Sequence, residues 1–118
     1  MSSAGPPLTP GVYRVASAED TARALARSGW NVRLVGRAAS TPGLYAELAG
    51  ALELPRWFGA NLDALWDCLT DLPVPTALVL GGWSAFEQAE PEQARRMMDV
   101  FAERTQVEPP FTVALAQD

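Results

Sequence analysis

The sequence contains no lysine and no histidine, and it has a single cysteine, Cys68. Histidine is the side chain that ordinarily exchanges protons near neutral pH, so its absence excludes Ser-His-Asp triads and histidine-ligated metal sites. One cysteine cannot form a disulfide within the chain. Such sparse use of cysteine is typical of proteins in a reducing compartment, and we therefore expect a cytoplasmic protein.

Long hydrophobic runs are also absent. No segment approaches the roughly 18 consecutive apolar residues of a membrane-spanning helix, so we expect no membrane partner. The opening residues, MSSAGPPLTPG, lack the basic and apolar regions of a secretory signal, and we expect residues 1–10 to form a disordered tail. Apolar residues make up 48% of the 118 positions, and residues 11–118 are predicted to fold as a single domain.

The few basic residues are unevenly distributed. Residues 1–56 hold six arginines against four acidic residues, whereas residues 57–118 hold three arginines against ten, giving charges of +2 and −7. The net charge of −5 argues against direct nucleic-acid binding, because phosphate contacts need a basic surface. The acidic second half is either an ordinary solvated surface or one that attracts a basic protein partner.

Hydrophobic periodicity and capping residues predict alternating strands and helices. The predicted strands are 11–15, 31–36, 77–83 and 111–116. The predicted helices are 17–29, 43–53, 62–72, 84–89 and 91–106, with Thr41 and Asn61 as N-caps of the second and third. This alternation favours an α/β fold, a small parallel sheet of three strands packed with helices. Val12–Val15 is a candidate fourth strand, predicted to lie beside Asn31–Val35.

The stretch WFGANLDALWDCLTD, residues 57–71, contains the most unusual of the predicted helices. At about 100° per residue, it has two separate stripes. The packing stripe contains Leu62, Leu65, Trp66 and Leu69, and the acidic stripe contains Asp63, Asp67, Thr70 and Asp71. Acidic residues four positions apart repel each other by a few tenths of a kcal/mol per pair, and no arginine lies three or four positions away to offset this. The pattern therefore predicts a cation supplied from outside the helix.

Three kinds of site fit these carboxylates. Asp63 and Asp67 could form the acid–base pair of a small hydrolase, which needs a cleft and a raised pKa on one partner. Carboxylates could also bind Ca²⁺ or Mg²⁺, although the spacing matches no known loop signature. The third is a docking face for a basic protein, with the aromatic residues Trp57 and Phe58 as anchors. We favour docking, and we predict no catalytic residue, no metal and no cofactor. Cys68, with no base nearby, is interpreted as a small hydrophobe.

The segment LPRWFGANLDALWDCLTD, beginning at Leu54, closely resembles the barstar family. The resemblance is strongest over Leu54–Thr70, where NLDALWDCLT is nearly identical to the family's signature helix. It extends more loosely from Asn31 to Ala116 through VLGGWSAFEQ and VFAER. Residues 31–116 are thus the family-like part, and residues 11–30 are an additional N-terminal strand and helix.

The resemblance implies inhibition of a secreted, guanyl-preferring microbial ribonuclease. In such inhibitors the signature helix and the loop before it plug the nuclease active site, and an aspartate takes the place of the substrate phosphate. That aspartate matches Asp67. The other residues predicted to contact the partner are Trp57, Phe58, Gly59 (which keeps the turn), Asn61, Asp63, Trp66, Thr70, Asp71 and Glu103. The chain would be a monomer when free and would form a 1:1 complex with a basic ribonuclease, without catalysis.

Two departures from the family pattern leave an alternative open. The family's usual pair of tyrosines is replaced by Trp57 and Phe58, and its usual Gly-Trp after Thr70 is replaced by Asp71 and Leu72 with a longer proline-rich loop. These changes fit a related nuclease with a differently shaped rim. The alternative is a barstar-like docking module for another basic protein, without nuclease inhibition.

Overall fold

Four strands and five helices make up the part of the chain that the computed structural model describes, residues 9–55 and 58–118. In chain order they are β1 (Val12–Val15), α1 (Ala18–Arg27), β2 (Asn31–Val35), α2 (Thr41–Leu52), α3 (Leu62–Thr70), β3 (Thr76–Leu80), α4 (Trp83–Ala89), α5 (Pro91–Arg104) and β4 (Phe111–Ala116).

The strands form one sheet in the order β1-β4-β3-β2, and every neighbouring pair is parallel. The central strands β3 and β4 are buried at every position. Their largely apolar sequences are typical of parallel strands covered on both faces. The predicted α/β fold with a parallel sheet is confirmed, and the candidate fourth strand is present.

The predicted position of the fourth strand is wrong. β1 pairs with β4, with Val12 opposite Val113, and lies at the opposite edge of the sheet from β2. Strands that are neighbours along the chain are usually neighbours in the sheet, but here α1 contacts β2, β3 and β4 as it returns across the sheet. Pairing with β1 covers the backbone edge of β4, which would otherwise leave a fully buried strand without hydrogen-bond partners on one side.

The two faces of the sheet are covered unequally. On the front face, α2, α3, α4 and α5 pack over alternate residues of the strands and form the main core. On the back face α1 is the covering helix, and Leu25 packs there against Ala77, Val79 and Ala114. The acidic helix α3 therefore lies on the front face, which four helices cover.

Most element boundaries differ from the sequence predictions by one to three residues, and two of the differences have a specific local cause. The N-cap of α2 is Ser40 rather than Thr41, because the Ser40 Oγ accepts a hydrogen bond of 3.1 Å from the Gly43 backbone N–H. β3 ends at Leu80 rather than continuing to Trp83. Gly82 has a left-handed φ of 64°, which turns the chain, and Trp83 begins α4 as a buried residue.

Only Thr9 and Pro10 of the predicted tail lie within the described residues, and both are exposed. The remainder, residues 1–8, lies outside them, so the tail stays a prediction. In the two described ranges, no helix is both long and apolar enough to cross a membrane.

Candidate protein-docking face

Asn61 starts α3 as the sequence predicts. Its side-chain Oδ1 accepts a hydrogen bond of 2.8 Å from the Ala64 backbone N–H, which satisfies one of the unpaired donors at the helix N-terminus. Its Nδ2 donates to the Gly59 carbonyl oxygen over 3.2 Å. Both polar groups of the amide are thus used to join the helix to the preceding loop.

We expect Asn61→Ala to lower the free energy of unfolding by about 1 kcal/mol, the usual cost of losing such a cap. Asn61→Asp should retain most of that stability, because a carboxylate caps as well and favours the positive end of the helix dipole. Urea unfolding of the two variants beside the wild type measures the difference. Equal losses in both would contradict the capping role.

The two stripes predicted for α3 are separate in the structure. Leu65 and Leu69 are 0% exposed and belong to the front-face core, where α3 packs against α5. The acidic stripe, Asp63, Asp67, Thr70 and Asp71, is exposed. The Thr70 hydroxyl donates to the Asp67 carbonyl oxygen over 2.9 Å. Its proton is therefore used, and toward a partner the hydroxyl oxygen can only accept a hydrogen bond.

The acidic side chains have no cation of their own in the described part of the chain. All seven ion pairs found in residues 9–55 and 58–118 involve other carboxylates, on α1, α4 and α5 and at Glu53. Asp63, Asp67, Asp71 and Glu103 take part in none of them. Each carboxylate is therefore available to an external basic group.

The loop before α3 is held to the body of the protein through Phe58. Its ring is half-buried and lies 5.9 Å from the ring of Tyr45 on α2, at a tilt of 58°. Phe58 therefore fixes the loop against the core with part of its ring, leaving another part at the surface. Trp57, the other predicted aromatic anchor, lies outside the described residues.

The turn of this loop is not made by Gly59, as predicted, but by the next residue. Ala60 has a positive φ of 50°, whereas Gly59 is not in the left-handed region. What Gly59 supplies is space, because a Cβ there would lie 3.0 Å from the Asn61 Nδ2. A larger residue at 59 would press against the amide that caps α3.

Trp66 does not behave as a member of the packing stripe. It is half-buried, and in the described structure it is absent from the side chains that pack against the front-face core, whereas Leu62 is among them. Part of its indole is thus left at the surface of α3. An aromatic ring at that position can serve the partner contact predicted for it.

Cys68 lies between the two stripes and is partly buried. Burial raises the pKa of its thiol above the ordinary value, and the negative charges of Asp71 and Asp67 raise it further. The thiol is consequently neutral at physiological pH and a poor nucleophile. This agrees with the interpretation of Cys68 as a small hydrophobe.

Glu103 and Phe58 flank opposite ends of α3. Glu103 is exposed in the last turn of α5, and the next residue, Arg104, reaches the C-terminal turn of α3. Phe58 lies at the other end, against the first turns of α2. The predicted contacts that the structure describes thus lie on α3 and in the loop before it, apart from Glu103 in the last turn of α5.

Arg104 is a residue of this region that the sequence predictions missed. It is 0% exposed, and its guanidinium donates to three backbone carbonyls, one in the last turn of α3 and two in the connection between α5 and β4. A signal was present, since Arg104 continues the buried stripe of α5 formed by Ala94, Met97 and Phe101. An arginine on an apolar stripe indicates a buried polar network.

An open cleft of about 680 Å³ adjoins the N-terminal end of α3. Its lining residues are Thr41, Tyr45, Ala60, Asn61, Leu62, Asp63, Glu90 and Gln93. Asp67 is not among them, so the two carboxylates considered for a hydrolase do not line this cleft together. Across the described residues, no group of three or more acidic or cysteine side chains is arranged to hold a metal ion.

Comparison with known proteins connects this geometry to a family. A protein-family model described as "Barstar (barnase inhibitor)" matches residues 31–116, from the first residue of β2 to the last residue of β4. The chain belongs to the barstar family. The match covers most of the chain, and β1 and α1 precede the barstar region.

A related protein carries a matching description. A segment of 38 residues is 50% identical to a Bacillus subtilis (strain 168) protein named "Putative ribonuclease inhibitor YrdF". The similar segment covers 31% of this chain and 42% of that relative's length. Both descriptions name an inhibitor rather than an enzyme, in agreement with the prediction of a protein without catalysis.

Proposed function

We propose that this protein inhibits a secreted, guanyl-preferring microbial ribonuclease by plugging its active site with α3 and the loop before it. The observation that carries the proposal is the exposed acidic stripe of α3, without an internal cation in the described residues, on a barstar-family fold. Such a helix is poorly suited to an isolated protein and well suited to a basic cleft.

The inhibition requires no chemistry from this protein. A ribonuclease that binds phosphate must present arginine, lysine or histidine side chains, and a carboxylate can bind them through charge-assisted hydrogen bonds. Asp67 lies midway along the exposed stripe and takes the position of the phosphate. Asp63 and Asp71 lie one turn to either side, and Glu103 extends the acidic surface onto α5.

The remaining predicted contacts frame the acidic stripe. Asn61 and Gly59 set the shape of the loop, Phe58 and Trp57 supply aromatic surface before the helix, and Trp66 supplies it within the helix. We propose a 1:1 complex between a free monomer and the ribonuclease, formed in the cytoplasm before the nuclease is exported.

A titration of RNA cleavage tests this function. The protein is added to a panel of guanyl-preferring ribonucleases that includes barnase, and the rate of cleavage is followed. Stoichiometric loss of activity supports inhibition. Binding without inhibition would instead favour a docking module for a basic protein, and cleavage of substrate by the protein alone would favour a hydrolase.

Salt should slow the formation of the complex. Because the acidic face attracts a basic nuclease over a distance, we expect the association rate to fall at least about tenfold between low and high salt, an effect for which the barnase–barstar pair is itself a known example. Stopped-flow mixing at increasing sodium chloride measures it. An association rate independent of salt would count against electrostatic steering.

A further inference from the structure

The guanidinium of Arg104 is buried between the C-terminal turn of α3 and the connection from α5 to β4. Its Nε donates to the Leu69 carbonyl oxygen over 2.8 Å, and its Nη1 donates to the Val107 and Pro109 carbonyl oxygens over 2.9 and 3.0 Å. Its carbon Cζ lies 5.2 Å from the centre of the Phe111 ring. Within the described residues, the Nη2 has no hydrogen-bond partner and no carboxylate lies within ion-pair distance.

The carbonyl of Leu69 explains how this charge is tolerated. It lies in the last turn of α3, where carbonyls lack the usual donor four residues further on and where the negative end of the helix dipole lies. Besides Arg104, it accepts a hydrogen bond of 3.3 Å from the Leu72 backbone N–H. Arg104 also occupies the last turn of its own helix, α5. Two helix C-termini therefore provide partial negative charge around one cation, and the nearby carboxylate of Glu108, outside ion-pair distance, adds to it.

The hydrogen bond from Arg104 to Leu69, called the tie below, joins the two acidic parts of the docking face, which are the α3 stripe and Glu103. The C-terminal turn of α3 carries Asp67, Thr70 and Asp71 on its exposed side, and Leu69 holds its buried side to Arg104. The residue before Arg104 is Glu103, which points about 100° away around α5 and is exposed. A single buried side chain thus links one acidic surface to the other, in addition to the core packing between α3 and α5.

We propose that Arg104 is a positioning residue for partner binding, which fixes the spacing between the α3 acidic stripe and Glu103 before the ribonuclease arrives. The proposal rests on the proposed function of that face. Preorganisation raises affinity because the ordering of contact groups has been completed in the free protein. Without the hydrogen bond from Arg104 to Leu69, core packing alone holds the C-terminal turn of α3 against the last turn of α5.

Arg104→Met tests this role, because methionine is shorter than arginine but unbranched and close to it in volume, and it removes all three hydrogen bonds. The substitution leaves three backbone carbonyls without their guanidinium donor, which lowers stability, so the free energy of unfolding of the variant is measured beside its affinity. We expect the dissociation constant for barnase, or for whichever panel ribonuclease the wild type binds, to rise about threefold to tenfold. Arg104→Lys keeps the cation and should recover part of the loss.

A second measurement separates positioning from a merely structural role. In a double-mutant cycle, Glu103→Ala should lose less affinity in the Arg104→Met background than in the wild type, because Glu103 is no longer held in place. Leu25→Ala, on the back face, lowers stability without touching this tie and should bind like the wild type. A folded Arg104→Met variant with wild-type affinity and an undiminished Glu103 effect would overturn the proposal.

Hydrogen exchange in the free protein tests the tie without a partner. The amides of Asp71 and Leu72 bond to the carbonyls of Cys68 and Leu69, and they should exchange faster in Arg104→Met while the amides of β3 keep their protection. If no ribonuclease binds the wild type, the proposed function fails, and this experiment still decides whether Arg104 fixes α3. Unchanged exchange at Asp71 and Leu72 would refute it. If Arg104→Met does not fold, Arg104→Lys is measured in the same ways.

Discussion

Asp67→Ala is expected to weaken binding to the ribonuclease by about 2–5 kcal/mol, or roughly 30- to 5,000-fold in the dissociation constant. The barnase–barstar complex is itself the known example of such an aspartate, and its loss lies above this general range. The physical reason is that the basic side chains of the nuclease cleft would be buried by the complex without the carboxylate that they require. Titration of RNA cleavage, or calorimetry of the complex, measures the change.

The same substitution should leave the free protein intact. Asp67 is exposed and forms no ion pair with the rest of the described chain, and it is repelled by Asp63 and Asp71 one turn away. Its removal should therefore keep the free energy of unfolding or raise it by a few tenths of a kcal/mol. Loss of binding with retained stability would identify Asp67 as a contact residue.

Asp20→Ala provides the matched control. Asp20 is an exposed acidic residue in the first turn of α1, the helix that covers the back of the sheet, and it pairs there with Arg23. The substitution removes the same charge far from the docking face, so we expect affinity to change by less than about 0.5 kcal/mol. Full inhibition by Asp67→Ala, or an equal loss in both variants, would contradict the assigned role.

What the sequence predicted well depends on local periodicity. The two stripes of α3, the Asn61 cap and the buried strands β3 and β4 all follow from residues that are close along the chain. The helical period alone places Leu65 inward and Asp67 outward. Except at Trp66, which is half-buried outside the packing stripe, these features are confirmed because the local preference and the tertiary packing agree.

What the sequence did not predict depends on contacts between distant segments. The pairing of β1 with β4 joins residues about a hundred positions apart, and no local pattern indicates which edge of the sheet is free. The burial of Arg104 depends on hydrogen bonds to the carbonyls of Leu69, Val107 and Pro109. Secondary-structure propensities do not predict such hydrogen bonds. An arginine is expected at the surface until the groups that satisfy it are known.

Leu65→Ala is expected to lower the free energy of unfolding by about 2–5 kcal/mol, the usual cost of removing a fully buried leucine side chain. Leu65 is 0% exposed in the front-face core, beneath the acidic stripe of α3. Alanine has the higher helix propensity of the two, so the loss would come from packing and from the cavity left behind. Urea unfolding curves of the variant and the wild type, fitted with a common dependence of free energy on urea concentration, measure this loss.

Leu34→Ala serves as the control for this loss of packing. It removes the same atoms from a side chain that is 55% exposed on the edge strand β2, and we expect a change within about 0.5 kcal/mol. Where Leu65→Ala remains folded, it should still bind the ribonuclease with nearly wild-type affinity, because the exposed acids are unchanged. The packing stripe would then determine the stability of the fold, and the acidic stripe would determine the affinity for the ribonuclease. Comparable destabilisation by Leu34→Ala would show that burial in the front-face core does not explain the loss.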